Sequence, residues 1–122
     1  MIDHIGVAVR DLERSVAFYT KALAPLGYEV VMRWEQFAGF GIAGKADFWI
    51  GAGDPKQGIH VAFRAAGRAK VREFYDAAIA AGGKDNGAPG VRPHYHEHYY
   101  GAFVHDPDGH NIEAVCHQPF LG

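Results

Sequence analysis

Cysteine is nearly absent: Cys116 is the only one in 122 residues. A lone thiol excludes an internal disulfide framework and fits a reducing compartment. Long apolar runs are missing too, and none approaches the roughly 20 residues of a membrane-spanning helix. Neither sign of charge dominates, with 12 Lys and Arg interspersed among 14 Asp and Glu for a formal net charge of −2. That balance leaves no footprint for nucleic acid and no polybasic patch for a membrane surface. The first residues show no charged n-region followed by an apolar h-region. These absences together predict a cytoplasmic protein. Disorder is excluded by the 48% hydrophobic content, and the length predicts one domain over 1–122 with a core of its own.

What the sequence has in excess is histidine, eight in all. Three of them fall in the stretch around which the chain is organised, Tyr99 to His117. Tyr99 to His105 is aromatic and β-branched enough for a strand. Asp106-Pro107-Asp108-Gly109 reads as a tight turn, with proline fixing φ and glycine tolerating the left-handed region. Asn111 to His117 resumes the strand. Alternation puts Ile112, Ala114 and Cys116 on one apolar face, which makes Cys116 a core residue. Asn111, Glu113, Val115 and His117 take the other face. A carboxylate at the middle of this strand is either solvated or part of a site.

Earlier in the chain, His4 to Val9 alternates, with Ile5, Val7 and Val9 on one face and His4, Gly6 and Ala8 on the other. Asp11 is placed to cap a helix in which Leu12, Val16, Tyr19 and Leu23 share a side and Gly27 gives the stop. Strands are expected over Tyr28 to Arg33, Phe37 to Ala43 and Ala46 to Ile50, then a linker over Gly51 to Gly58. The pattern starts again at Ile59. Phe18-Tyr19 follows His4 at the offset at which Phe74-Tyr75 follows His60, and Gly27 and Gly83 stand at equal offsets from those histidines. The agreement predicts an internal duplication. Each half is read as strand, helix and three strands, module one about 1–52 and module two about 58–119. The first of the three later strands is weak in the second half, near Lys84 to Asn86, and is followed by a loop from Gly87 to His98.

Aligning the halves places His4 and His60 at equivalent positions, each opening its strand opposite the apolar face. Glu113 shares that parity. Two imidazoles and a carboxylate on one concave surface make a facial triad with open positions, suited to divalent zinc, iron, manganese, nickel or cobalt. Beyond the triad, Arg92 to Tyr100 carries His94, His96 and His98 in alternation with Tyr95 and Glu97. Those histidines are a second metal site, acid–base groups beside the first, or a polar loop. Arg64 shares the His60 face and either meets an anionic group or reaches solvent. His117 is a partner of the site or a rim residue. Trp34, Trp49 and Phe40 wall a pocket, fill the core or meet a second copy.

The chain resembles the vicinal oxygen chelate superfamily, which includes glyoxalase I, extradiol dioxygenases, fosfomycin-resistance enzymes and bleomycin-resistance proteins. The resemblance rests on His4-Ile5-Gly6-Val7-Ala8-Val9, Phe18-Tyr19, Leu26-Gly27, Ile59-His60-Val61-Ala62-Phe63 and above all Phe103 to Glu113. It implies an α+β fold of two βαβββ modules curled around one divalent metal held by His4, His60 and Glu113. It implies a small substrate chelated through neighbouring oxygens, with His94, Tyr95 and His96 as candidate catalytic groups. The expected activity is of lyase or isomerase type. A ring-cleaving dioxygenase and a metal-free ligand-binding protein are the alternatives. A homodimer is expected, with modules paired across two chains. One departure stands out. Matching Gly44 with Gly109 sets Phe48 opposite Glu113, so the fourth protein ligand of glyoxalase I is missing, unless a bulge turns Asp47 inward.

Overall fold

A computed structural model describes residues 1–56 and 58–119. Gln57, in the expected linker, and residues 120–122 lie outside the described residues. The first half runs β1 (Ile5–Val9), α1 (Leu12–Ala22), a 3₁₀ turn (Ala24–Leu26), β2 (Glu29–Arg33), β3 (Phe37–Ile42) and β4 (Lys45–Ala52). The second runs β5 (His60–Arg64), α2 (Arg68–Ala80), β6 (Lys84–Val91), β7 (Tyr100–His105) and β8 (Asn111–Cys116). Each half folds its strands into one mixed sheet, β1-β4-β3-β2 and β5-β8-β7-β6. The duplication read from histidine and glycine offsets is therefore a duplication of topology.

Local chemistry sets the element ends. Asp11 caps α1 by accepting from the Arg14 amide at 3.1 Å, and Gly27 leaves the 3₁₀ turn at φ +87°. The Asp-Pro-Asp-Gly turn is built around Asp106, which is buried. One oxygen of its carboxylate accepts from the amides of Asp108 (2.9 Å) and His110 (2.8 Å). The other accepts the Tyr19 hydroxyl at 2.5 Å, reaching across to the first half.

The helix-facing sides of both sheets join in one core. Phe48 of β4 meets Phe63 of β5 edge to face at 5.2 Å, and Tyr28 meets Phe63 at 5.3 Å. His110 pins the halves together: its Nδ1 accepts from the Ile59 amide (3.1 Å) while its Nε2 donates to Ala8 O (2.8 Å). The ring is 1% exposed and serves structure. Cys116 is buried in the core as its face requires.

Two expectations are corrected. The stretch 87–91 is not loop: β6 continues to Val91 and pairs with β7 through two register shifts, Asp85/Gly87 and Gly87/Gly90. Gly87 takes φ +149° there, and Pro89 falls in the skipped segment, where no ladder bond is required of it. The second concerns Phe48. The β3–β4 register shifts at Asp47, between Gly41↔Ala46 and Phe40↔Phe48. This bulge turns Phe48 into the core and brings Trp49 opposite Gly6, as Glu113 lies opposite Ala62.

Candidate functional site

The uncovered side of the second sheet is polar. On β5, His60 and Ala62 point away from the core. β8 lies beside it in parallel, with Ala62 paired to Glu113. β7 completes the surface with Phe103 opposite Glu113 and Gly101 opposite Val115. Glu113 is 1% exposed, yet its Oε1 lies 2.8 Å from Nε2 of His60, whose side chain is 51% exposed. Its other oxygen accepts the hydroxyl of Tyr99. Burial, and then that hydrogen bond to Glu113, push the Tyr99 hydroxyl well above its usual pKa. Tyr99 therefore stays a proton donor to the carboxylate. A cavity of about 350 Å³ opens over this group, bounded by His60, Glu113, Tyr95, Tyr99 and Phe103.

Tyr99 is the residue that sequence reasoning missed. It shares parity with Gly101 and Phe103, and continuing the β7 alternation one step back places it beside Glu113. The adjacent histidine run is the louder signal. Of that run, Tyr95 borders the cavity over Glu113, and His94 borders the neighbouring one with Arg92 and Asn86. His96 lies instead against the rings of His98 (5.9 Å) and His117 (5.8 Å). His98 approaches Glu97 at 3.3 Å. His117 also meets the Tyr99 ring, 5.2 Å away.

His4 stands apart from the pair. It is exposed, and its Nδ1 contacts Asp3 at 2.8 Å. It borders a cavity of about 380 Å³ at the seam between β1 and β5 that His60 and Arg64 also line. Among the described residues no three His, Cys, Asp or Glu side chains converge as a metal cluster. One chain thus assembles two of the three expected donors. The Trp49 position offers no donor, and Asp47 accepts the Tyr28 hydroxyl at 2.8 and 3.0 Å.

The equivalent face of the first sheet is aromatic. Trp49 lies over Gly39, where a Cβ would come within 2.8 Å of its ring. Phe37 meets Trp34 at 4.7 Å and Trp49 at 6.0 Å, and Trp34 is 50% exposed. Phe40 is core.

Repeated βαβββ halves with a polar site on the face turned away from the helices define an α+β class of duplicated-module proteins. The chain belongs to the Glyoxalase/Bleomycin resistance protein/Dioxygenase superfamily, whose profile matches residues 1–114. It is similar to a glyoxalase/bleomycin resistance protein from Albidiferax ferrireducens T118, with 28% identity over 96% of this chain and 98% of that one, and a TM-score of 0.82. A lactoylglutathione lyase from Agrobacterium tumefaciens shares the fold at 20% identity, 95% and 92% coverage and a TM-score of 0.71. So does a glyoxalase/bleomycin resistance protein/dioxygenase family enzyme from Burkholderia phytofirmans PsJN, at 21% identity, 96% and 98% coverage and a TM-score of 0.75. No curated protein matches the chain. No helix of the described residues is long and apolar enough to cross a membrane.

Proposed function

We propose that this protein is a metal-dependent enzyme of lyase or isomerase type, acting on a small substrate held through neighbouring oxygens at His60 and Glu113. The observation that carries the reading is the buried Glu113 carboxylate, turned to His60 Nε2 at the base of a solvent-open cavity. Burying a carboxylate is costly unless it is bonded. Placing it where an imidazole nitrogen and a carboxylate oxygen meet at 2.8 Å offers a donor pair suited to a divalent first-row ion. The residues present fit such an ion, with His4 as the proposed third ligand. β1 and β5 are edge strands, so a second copy can bring its His4 to this pair. We propose on that ground a homodimer whose sites draw on both chains.

Bound at this pair, a divalent ion would act as Lewis acid toward a substrate oxygen. Tyr99 holds Glu113 in orientation by donating to its second oxygen. Phe103 forms the floor on which substrate lies. Tyr95 and His94 border the substrate space and are, with His96, the proposed groups that hold or move its proton. The lone, buried Cys116 supports a reducing, cytoplasmic setting.

Elemental analysis of protein purified without a histidine tag is the test. The parent should carry a divalent metal, and His60→Ala should lose most of it. An alanine variant as metal-replete as the parent excludes the assignment. A ring-cleaving dioxygenase would use the same metal pair, and ferrous iron as the native ion would favour it. A parent with no metal favours a second reading, a ligand-binding protein without metal. That reading is supported by the exposed Trp34 and Phe37 rings beside the half-buried Trp49, which suit an aromatic ligand.

A further inference from the structure

Beside the His60–Glu113 pair lies a second cavity of about 380 Å³, walled by Arg92, His94, Asn86, Asn111, Tyr95 and Phe103. No carboxylate is among the described residues lining it. Arg92 is its one permanent charge, and the guanidinium is held in place. Its Nη2 donates to Ala88 O at 2.8 Å, and its carbon centre lies 5.6 Å from the Phe103 ring. Two glycines of β6 make room for it: a Cβ at Gly90 would come within 2.9 Å of Nη1, and one at Gly87 within 3.2 Å of Nη2. The register shifts of β6 fall at the same residues. An arginine carries five N–H donors in a fixed fork matched to carboxylate or phosphate. One of the five is spent on Ala88.

Phe103 and Tyr95 line both cavities. The Phe103 ring centroid is 6.1 Å from the His60 ring and 5.6 Å from the Arg92 guanidinium carbon, so the two cavities adjoin at this ring. We propose that the second cavity is an oxyanion subsite, in which Arg92 with His94 beside it takes a carboxylate or phosphate group of the substrate. The assignment rests on reading His60 and Glu113 as a substrate site, and does not depend on a bound metal. The competing account is that Arg92 only closes the β6 bulge by bonding Ala88 O. On that account an anion gains nothing in the cavity.

The test is a nuclear magnetic resonance titration of the full chain after metal removal by chelator. Sodium phosphate and sodium acetate are added in turn, with sodium chloride at matched ionic strength as control. The Arg92 Nε–H and the Gly87 amide are followed. A saturable shift with one or both anions is expected. Phosphate alone marks a phosphoryl substrate, and acetate marks a carboxylate. Arg92→Gln should weaken binding roughly tenfold or more, and Arg92→Lys should weaken it because the fork is lost. Trp34→Ala, in the first half and outside both cavities, should leave the shift unchanged, and removing metal by chelator keeps failure of the metal reading distinct from failure here. A shift that only tracks chloride overturns the subsite, as does one retained in Arg92→Gln.

Discussion

Glu113 depends on a residue with no side chain. Gly101 lies beneath the carboxylate, where a Cβ would come within 3.2 Å of Oε2 and 3.2 Å of the Tyr99 ring. Gly101→Ala should therefore push either the carboxylate or the tyrosine out of place, at a cost of about 1–3 kcal/mol in urea unfolding. Tyr99→Phe keeps the ring but leaves one buried oxygen without its donor, and a similar loss of about 1–3 kcal/mol is expected. If the site holds metal, both variants should also bind it more weakly in chelator competition. Unchanged metal affinity in Tyr99→Phe would show that the hydroxyl does not position the carboxylate. Glu113 itself was legible in the sequence, because strand alternation alone sets it opposite Ile112 and Ala114. Tyr99 was not, because it precedes the first paired residue of β7 and its parity matters only once that strand's register is known.

Turns and bulges separate what a pattern reveals from what it hides. The Asp106 turn was readable because proline, aspartate and glycine each fix a different part of its geometry. The bulge at Asp47 could be named only as an alternative, because an inserted residue leaves no compositional mark and a regular strand fits the same letters. The glycines and proline of β6 misled for the opposite reason, since they mark bulges as readily as loops. The β3–β4 hairpin turns through Ala43 and Gly44, both at positive φ, +53° and +78°. Such a two-residue turn favours asparagine before glycine, and alanine there is strained. Ala43→Asn should raise stability by about 0.5–1 kcal/mol, read as a higher urea midpoint with unchanged slope. A lower midpoint would mean that the alanine methyl has a role that the turn geometry does not explain.

At the scale of the whole molecule, the proposed partnership of two copies has a direct readout. Sedimentation at micromolar concentration should give about twice the 13.3 kDa chain mass. A metal-bearing monomer would instead require His4 to close on His60 within one chain. Alkaline pH tests the seam between the halves. Burial, and then the charge and hydrogen bond of Asp106, raise the Tyr19 pKa well above its usual 10. The unfolded chain ionises this tyrosine near 10 while the folded one keeps it neutral. The stability it contributes is thus complete below pH 10 and falls away as pH climbs beyond. Urea midpoints should drop above pH 10, and Tyr19→Phe should flatten that drop while lowering the midpoint at pH 7. A drop of the same steepness in the variant would assign the alkaline loss to other groups.

The same seam governs the order in which the chain can become stable as it is synthesised. Ala8 O waits for a histidine 102 positions later, and the Tyr19 hydroxyl waits for Asp106. Phe48 likewise has no Phe63 to pack on until the second half emerges. The first repeat leaves the ribosome with a buried hydroxyl, a strand-end carbonyl and an aromatic face all lacking partners that lie downstream. A nascent chain stalled before Asp106 should therefore remain protease-sensitive throughout, although its first fifty residues already spell a complete βαβββ unit.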